Sequence, residues 1–206
     1  VRRAVVVEDF RARTAGAGVA HLPEVRLGAE PHDAILGQPG DLLPERGRLV
    51  VFESDASNRV AGDTNGASDV FLRDSAKNRT WRVSLARDGT QGNGDSFGGA
   101  ISADGRVVAF VSDASNLVPH DTNGTTDVFV RDLQTGSVRR INVGPGGRQA
   151  DGRSFGAAIS ADGRFVAFSS EATNLVSGDT NGAQDIFTHD LKAGVTRRIS
   201  VSTGGG

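Results

Sequence analysis

Three acidic loops carry the residue types most able to do chemistry in this chain. Each reads Asp-Thr-Asn-Gly-x-x-Asp, and the copies begin at Asp63, Asp121 and Asp179, at equal intervals along the sequence. Two carboxylates and a carboxamide so close together form a cluster of hard oxygen donors, the ligand type that calcium prefers. The Asn-Gly pair supplies the tight turn that such a loop needs. The spacing therefore predicts a cation site in every copy.

The calcium loop of an EF-hand provides the ligand assignment. When the loop glycine is aligned with the glycine of that loop, side chains at positions 3, 5 and 9 and the carbonyl at position 7 supply oxygens. Position 1 lacks a carboxylate and position 12 lacks a glutamate, so the loop is a shortened one. The predicted metal ligands are Asp63, Asn65, Ala67 and Asp69 in the first copy, Asp121, Asn123, Thr125 and Asp127 in the second, and Asp179, Asn181, Ala183 and Asp185 in the third.

Other groups must complete the calcium shell. Water is one source, and the nearby side chains are Asn58, Asn116 and Asn174, or Asp55, Asp113 and Glu171. An alternative interpretation is a plain Asn-Gly turn capped by the aspartates. That alternative does not explain why carboxylates flank the turn in all three copies, where they would repel one another without a cation. A bound ion would stabilise only the folded chain, so calcium is expected to raise the melting temperature.

The acidic loops belong to a repeat whose other segments have the pattern of strands. Residues 96–143 align without gaps to residues 154–201, with 31 of 48 positions identical. In each unit two apolar runs flank an Asp-Gly turn, which predicts a hairpin. The acidic loop follows, and then come two more alternating segments. Four short antiparallel strands at a fixed spacing predict one blade of a β-propeller, whereas the alternative, a β-solenoid, usually has a shorter period.

The repeat resembles that of the TolB-like β-propellers. That pattern is S-x-D-G-R-x-[IV]-A-F followed by D-[IV]-[YF]-x-x-D, and residues 101–110 with Asp127–Asp132 match it. Further copies are residues 159–168 with Asp185–Asp190 and, more weakly, residues 47–52 with Asp69–Asp74. The resemblance implies an all-β propeller of four-stranded antiparallel blades, here with a calcium-loop variant in each. It implies little about function, because such propellers serve as periplasmic interaction modules, as surface proteins and as gating domains of peptidases.

The repeat also predicts the domain organisation. Residues 1–39 are expected to form a degenerate half blade or an N-terminal extension, in which 5–7 and 25–27 are candidates for the third and fourth strands of a preceding blade. Blade 1 is predicted at 40–89, blade 2 at 90–147 and blade 3 at 148–206. About three and a half blades cannot close a ring. Missing sequence or another subunit must complete it, and open strand edges favour an oligomer or polymer.

A second repeated stretch joins one blade to the next. It spans residues 91–97 and recurs at residues 149–155. We interpret it as a glycine-rich connector, with ligand contact at the central channel of the propeller as the alternative.

Composition excludes several classes of function. A net charge of −2 and few aromatic residues do not suit a nucleic-acid surface. No apolar run approaches the roughly 18 residues of a membrane span, so membrane insertion is not expected. The four histidines have no metal-ligand spacing, cysteine is absent, and there is no G-x-S-x-G elbow. The pairs Arg139-Arg140 and Arg197-Arg198 are interpreted as solvated strand faces. No catalytic constellation is predicted.

Two functional classes remain. The first is a non-catalytic, exported structural or protein-interaction propeller, stabilised by calcium and self-assembling into a surface component. The second is the propeller domain of a larger hydrolase or peptidase that gates its active site. Because millimolar calcium suits incomplete ligand shells, an extracellular, cell-surface or periplasmic location is predicted. The expected partner is another protein or a second copy, bound through open blade edges.

Overall fold

Within the 206-residue chain, the computed structural model describes residues 4–6 and 48–201. This part is all β, with a single 3₁₀ turn at Pro145–Gly147. Its strands are β1 (Ala4–Val6), β2 (Leu49–Ser54), β3 (Asp69–Asp74), β4 (Arg79–Arg82), β5 (Ser96–Ile101), β6 (Val107–Ser112), β7 (Asp127–Asp132), β8 (Val138–Arg140), β9 (Ser154–Ile159), β10 (Phe165–Ser170), β11 (Asp185–Asp190) and β12 (Val195–Arg198).

The strands form three antiparallel sheets of four, and each sheet follows chain order. The first sheet is β1 to β4, the second β5 to β8 and the third β9 to β12. A tight turn joins β5 to β6, where Gly105 takes a φ of +71° that other residues rarely adopt. The acidic loop follows the second strand of each sheet, so the predicted order of elements is confirmed.

The first strand of the first sheet comes from the start of the chain. Val6 pairs with Val50, as Ile101 pairs with Val108 in the second sheet. Val5 and Val6 were predicted in a preceding blade, and that assignment is wrong because their backbone instead pairs with β2. The rest of the predicted half blade, including residues 7 and 25–27, lies outside the described residues. The boundaries of the blades stay a prediction.

Apolar side chains between neighbouring sheets form two cores. Residues alternate across β6, so Val108 and Phe110 lie in the core shared with the first sheet. Ala109, between them, lies in the core shared with the third sheet. A stacked phenylalanine pair recurs in each sheet, with ring centroids 5.6 to 5.8 Å apart. The sheets therefore stack face to face along the chain, and the middle one is buried on both faces.

Gly99 in β5 lies directly against the first sheet. A methyl group at this position would lie 2.2 Å from Val51 Cγ1 and 3.2 Å from Val70 Cγ1. The equivalent residue of the third sheet is Ala157, which packs against the second core, and Ala109 is part of that core. Ala109 stands where the first sheet has Val51. The first interface therefore has valine at position 51 and glycine at position 99, whereas the second has alanine at both equivalent positions, 109 and 157.

Candidate functional site

Each acidic loop closes on an arginine from the last strand of its own sheet. In the second sheet, Arg140 Nη1 lies 2.7 Å from Asp121 Oδ1 and 3.1 Å from Asp127 Oδ2. Only 9 %, 4 % and 1 % of these three side chains is exposed. We call this arrangement the arginine clip. The other clips are Arg82 with Asp63 at 2.9 Å and Asp69 at 3.4 Å, and Arg198 with Asp179 at 2.9 Å and Asp185 at 3.4 Å.

The second aspartate of every clip also accepts neutral hydrogen bonds. Asp127 Oδ1 accepts from Asn142 Nδ2 at 2.6 Å and from Asn123 Nδ2 at 3.1 Å. In the other two sheets a serine replaces Asn142, with Ser84 bonded to Asp69 and Ser200 bonded to Asp185. Each such carboxylate is therefore satisfied by groups from the loop and from the end of the fourth strand, as a buried carboxylate must be.

A glutamine from the connector that leads to the following sheet covers each of the first two clips. Gln149 Oε1 accepts from the backbone N–H groups of Thr122 and Asn123, both at 3.0 Å, and from Arg140 Nη1 at 3.1 Å. Its Nε2 donates to the His120 carbonyl at 2.7 Å and to Thr122 Oγ1 at 3.0 Å. Gln91 makes the matching bonds to Thr64, Asn65, Arg82 and Gly62 in the first loop. The connector between sheets thus ties one loop to the next sheet.

The predicted calcium ligands come together only in part. The two aspartates of each loop converge, but Asn65 and Asn181 direct Nδ2, not oxygen, to the second aspartate. Their Oδ1 atoms instead accept from the N–H groups of Ala67 and Ala183. The role of the carbonyls of Ala67, Thr125 and Ala183 as ligands stays a prediction.

Three of the side chains proposed to complete the calcium shell, those of Asn116, Asn174 and Asp113, are hydrogen-bonded elsewhere. Asn116 Nδ2 donates to the Gln91 carbonyl at 2.8 Å, and Asn174 Nδ2 donates to the Gln149 carbonyl at 2.8 Å. Asp113 accepts from Thr126 Oγ1. Over residues 4–6 and 48–201, no group of three or more His, Cys, Asp or Glu side chains is placed to hold a metal ion. In this geometry the residues do not fit calcium, because an ion would have to displace the guanidinium. Calcium stays a prediction.

The arginines of the clips were not predicted from the sequence. Arg140 and Arg198 were interpreted as solvated, and that prediction is wrong for both, because each turns inward at the end of its strand. It holds for their neighbours Arg139 and Arg197, which are exposed. Strand alternation separates the members of each pair. The sequence does contain a pattern from which the arginines could have been predicted as partners of the loops. The arginine follows the first aspartate of its loop at the same distance in all three copies.

Comparisons with known proteins identify the fold. No family model and no curated protein matches the chain. A solved structure assigned as TolB from Agrobacterium tumefaciens matches 76 % of this chain and 43 % of its own, with 19 % identity and a TM-score of 0.50. TolB from Acinetobacter baumannii matches at 18 % identity, 77 % and 31 % coverage and a TM-score of 0.45. Three successive four-stranded antiparallel sheets decide the fold. The chain is an open β-propeller.

The propeller spans less than half of either TolB structure, and identities as low as these show the fold alone. Dipeptidyl peptidase 4 from Porphyromonas gingivalis also matches, at 15 % identity, a TM-score of 0.47 and 24 % of its length. Among residues 4–6 and 48–201, no helix of the propeller has the length and apolar character to cross a membrane.

Burial and charge act against each other in the clips. Burial raises the pKa of Asp69 above its ordinary value, and the hydrogen bond from Ser84 offsets part of that rise. Burial also raises the pKa of Asp121, and repulsion by Asp127 raises it further. These carboxylates therefore depend on the positive charge of the arginine to remain ionised inside the propeller.

A second ion pair recurs where the third strand of each blade ends. Arg106 lies 2.9 Å from Asp132. Asp132 also accepts from the backbone N–H groups of Gln134 and Thr135. Burial alone would raise the pKa of Asp132, but the hydrogen bonds from Thr135 and Arg106 outweigh it and the pKa is lowered. Equivalent pairs join Arg48 to Asp74 and Arg164 to Asp190.

Asp132→Asn tests this pair through its pH dependence. Because the pKa of Asp132 is lower in the folded chain than in the unfolded chain, its contribution is present above the ordinary value of 3.8 and is lost as the pH falls below it. We expect the variant to lose roughly 1 kcal/mol of unfolding free energy at pH 7, since Arg106 is half exposed and screened. Urea unfolding should show the difference shrinking at pH 3. The control is Glu171→Gln at an exposed position, and an equal deficit at both pH values would contradict the assignment.

Proposed function

We propose that the chain is a non-catalytic propeller module for protein interaction, and that the outer face of blade 3 is its assembly surface. One observation supports this proposal above the others. Ile186 and Ile199 are 41 % and 51 % exposed although they lie side by side, with the Ile199 N–H donating to the Ile186 carbonyl at 2.8 Å. The two side chains form an apolar patch on the sheet face, and contiguous apolar patches mark surfaces that a partner protein covers.

The buried histidine gives no support to a catalytic alternative. Thr196 Oγ1 donates to the Val143 carbonyl at 3.0 Å, so His189 Nδ1, 3.0 Å from that hydroxyl, must be its donor. A ring nitrogen that donates cannot take a proton from the same hydroxyl. Burial lowers the pKa of His189 and favours the neutral ring, which suits a structural role.

A propeller that gates a larger hydrolase is the alternative, because one fold serves both roles. It requires a hydrolase domain on the same polypeptide, so the sequence of the complete gene distinguishes the two. An interaction module of this kind suits an extracellular, cell-surface or periplasmic location, which remains part of the proposal.

Self-association is tested by the mass of the particle in solution. Sedimentation over a range of concentrations should show oligomers, and Ile186→Ser with Ile199→Ser should reduce them without lowering the melting temperature. The matched control is Lys192→Ser, an exposed position on the turn between the same two strands. A monomer at every concentration would contradict assembly through this face.

A calcium ion would compete with the arginine for the same carboxylates, so the effect of calcium on the melting temperature is a separate test. Because the guanidinium already pairs with both aspartates, we expect calcium in place of a chelator to shift the melting temperature by less than about 1 °C. Magnesium serves as the ionic-strength control. A calcium-specific rise of several degrees would support the calcium prediction and would require the arginine to leave the clip.

A further inference from the structure

The third loop repeats the groups that bind glutamine in the first two. In those loops the carboxamide binds two backbone N–H groups, an arginine N–H, a carbonyl and a threonine hydroxyl. The counterparts, one full repeat beyond the second loop, are Thr180 N–H, Asn181 N–H, Arg198, the Gly178 carbonyl and Thr180 Oγ1. In the part of the chain that the structure describes, no carboxamide bonds to them. We call these groups the carboxamide socket.

A buried polar atom beside the socket also lacks a partner. The Asp179 side chain is 2 % exposed, and its Oδ2 makes no hydrogen bond within residues 48–201. Asn181 Nδ2 donates to Asp185. Its counterpart Asn123 donates in addition to the Ala150 carbonyl of the following blade. Within residues 48–201, Asn181 lacks the bond to a following blade that Asn123 makes, and this missing bond points to a neighbour. The unpaired Asp179 Oδ2 does not by itself require one, because Asn123 Oδ1 and Thr125 Oγ1 are also buried and unpaired in the loop that blade 3 covers.

The apolar face next to the socket is an interface in the other two blades. Ile186 corresponds to Val70 and Val128, which are fully buried by the following blade. Ile199 corresponds to Val83 and Ile141, which are also buried. The same surface therefore meets a neighbouring blade twice, and in blade 3 no further blade covers it within the residues that the structure describes.

We infer that this face docks a further propeller blade whose connector begins with a glutamine, and that the carboxamide of that glutamine enters the socket. The inference rests on the proposed interaction function and names the partner's chemistry. A carboxamide combines one oxygen that accepts from Thr180, Asn181 and Arg198 with two N–H donors, which serve the Gly178 carbonyl and Thr180 Oγ1, whereas a hydroxyl or a neutral imidazole has a single donor. A carboxylate lacks those donors, and an ammonium group lacks the acceptor.

A tethered blade tests the socket. A copy of residues 149–201 is appended to Gly206. This preserves the period of the repeat, so the copied glutamine stands in the sequence one full repeat after Gln149. We expect hydrogen exchange at the Thr180 and Asn181 amides to slow at least about tenfold, since tethering gives a high effective concentration. The matched control is the same extension with its first residue, the glutamine, replaced by alanine. Thr122 and Asn123, already capped by Gln149, serve as an internal standard that should not change.

The outcomes separate the socket from the proposed function. Equal protection by the glutamine and alanine extensions, or protection by neither, would overturn the socket. If the longer chain fails to fold, a synthetic peptide copying residues 149–159 is added to the unmodified chain at millimolar concentration. Shifts of the Thr180 and Asn181 amide resonances that vanish with the alanine peptide are expected, and unchanged resonances would overturn the inference. A chain that stays monomeric yet protects these amides when extended would reject self-association and keep the socket.

Discussion

Replacing Arg140 by methionine is expected to lower the free energy of unfolding by about 3 to 5 kcal/mol, because it leaves two buried carboxylates without their cation. Methionine keeps much of the apolar stem, so the loss reports mainly on the charge. The melting temperature should fall by roughly 10 °C for a chain of this size. Urea unfolding at pH 7 gives the energy directly.

Arg139→Met is the matched control, because the neighbouring side chain is exposed and faces away from the loop. Its expected effect is within about 0.5 kcal/mol, as at other surface positions. Asp121→Asn in the Arg140→Met background should recover part of the loss, since one unpaired charge is removed. In the Arg140→Met single variant, which keeps both aspartates, calcium should also raise the melting temperature. A loss below about 1 kcal/mol for Arg140→Met would contradict a clip that holds the loop.

Gly99→Ala is expected to cost about 1 to 3 kcal/mol by separating the first two blades. The added methyl would meet Val51 Cγ1 at 2.2 Å, so the Val51 side chain or one of the two backbones must shift. Thermal unfolding followed by circular dichroism measures the loss. Ala157→Gly, the reverse change at the equivalent position of blade 3, serves as the control and should cost no more than about 1 kcal/mol.

Val51→Ala in the Gly99→Ala background should restore much of the stability. The double variant recreates at the first interface the alanine pair found at the second, Ala109 with Ala157. Alone, Val51→Ala leaves a cavity and is expected to cost about 1 to 2 kcal/mol. A double variant less stable than either single variant would show that the two positions are not complementary.

The repeat made the blade predictable from sequence because its determinants are local. The Asp104-Gly105 turn requires a positive φ that glycine provides, and the structure has it at +71°. Strand alternation in Asp127–Asp132 leads to the observed pairing with β6. These signals depend on residues within a few positions of one another.

The clip partners were not predicted because they depend on distant residues. Whether Arg139 or Arg140 faces the loop is decided by the register of β8 on β7, which the local pattern does not fix. The capping glutamine comes from the next blade, 26 or 27 residues beyond the loop amides it binds. Val5 pairs with Val51 in β2 although the two residues lie far apart in the sequence, and the spacing of the repeat does not predict that pairing.

The glutamine caps make neighbouring blades unequal partners. Gln91 closes the loop of blade 1 only while blade 2 is folded. In the same way, Gln149 closes the loop of blade 2 only while blade 3 is folded. Each folded repeat therefore stabilises the repeat that precedes it in the sequence, which is nearest-neighbour coupling in a linear array. In the isolated chain, unfolding should begin at blade 3, whose loop no glutamine closes in the described residues, and fraying there should loosen blade 2 before blade 1.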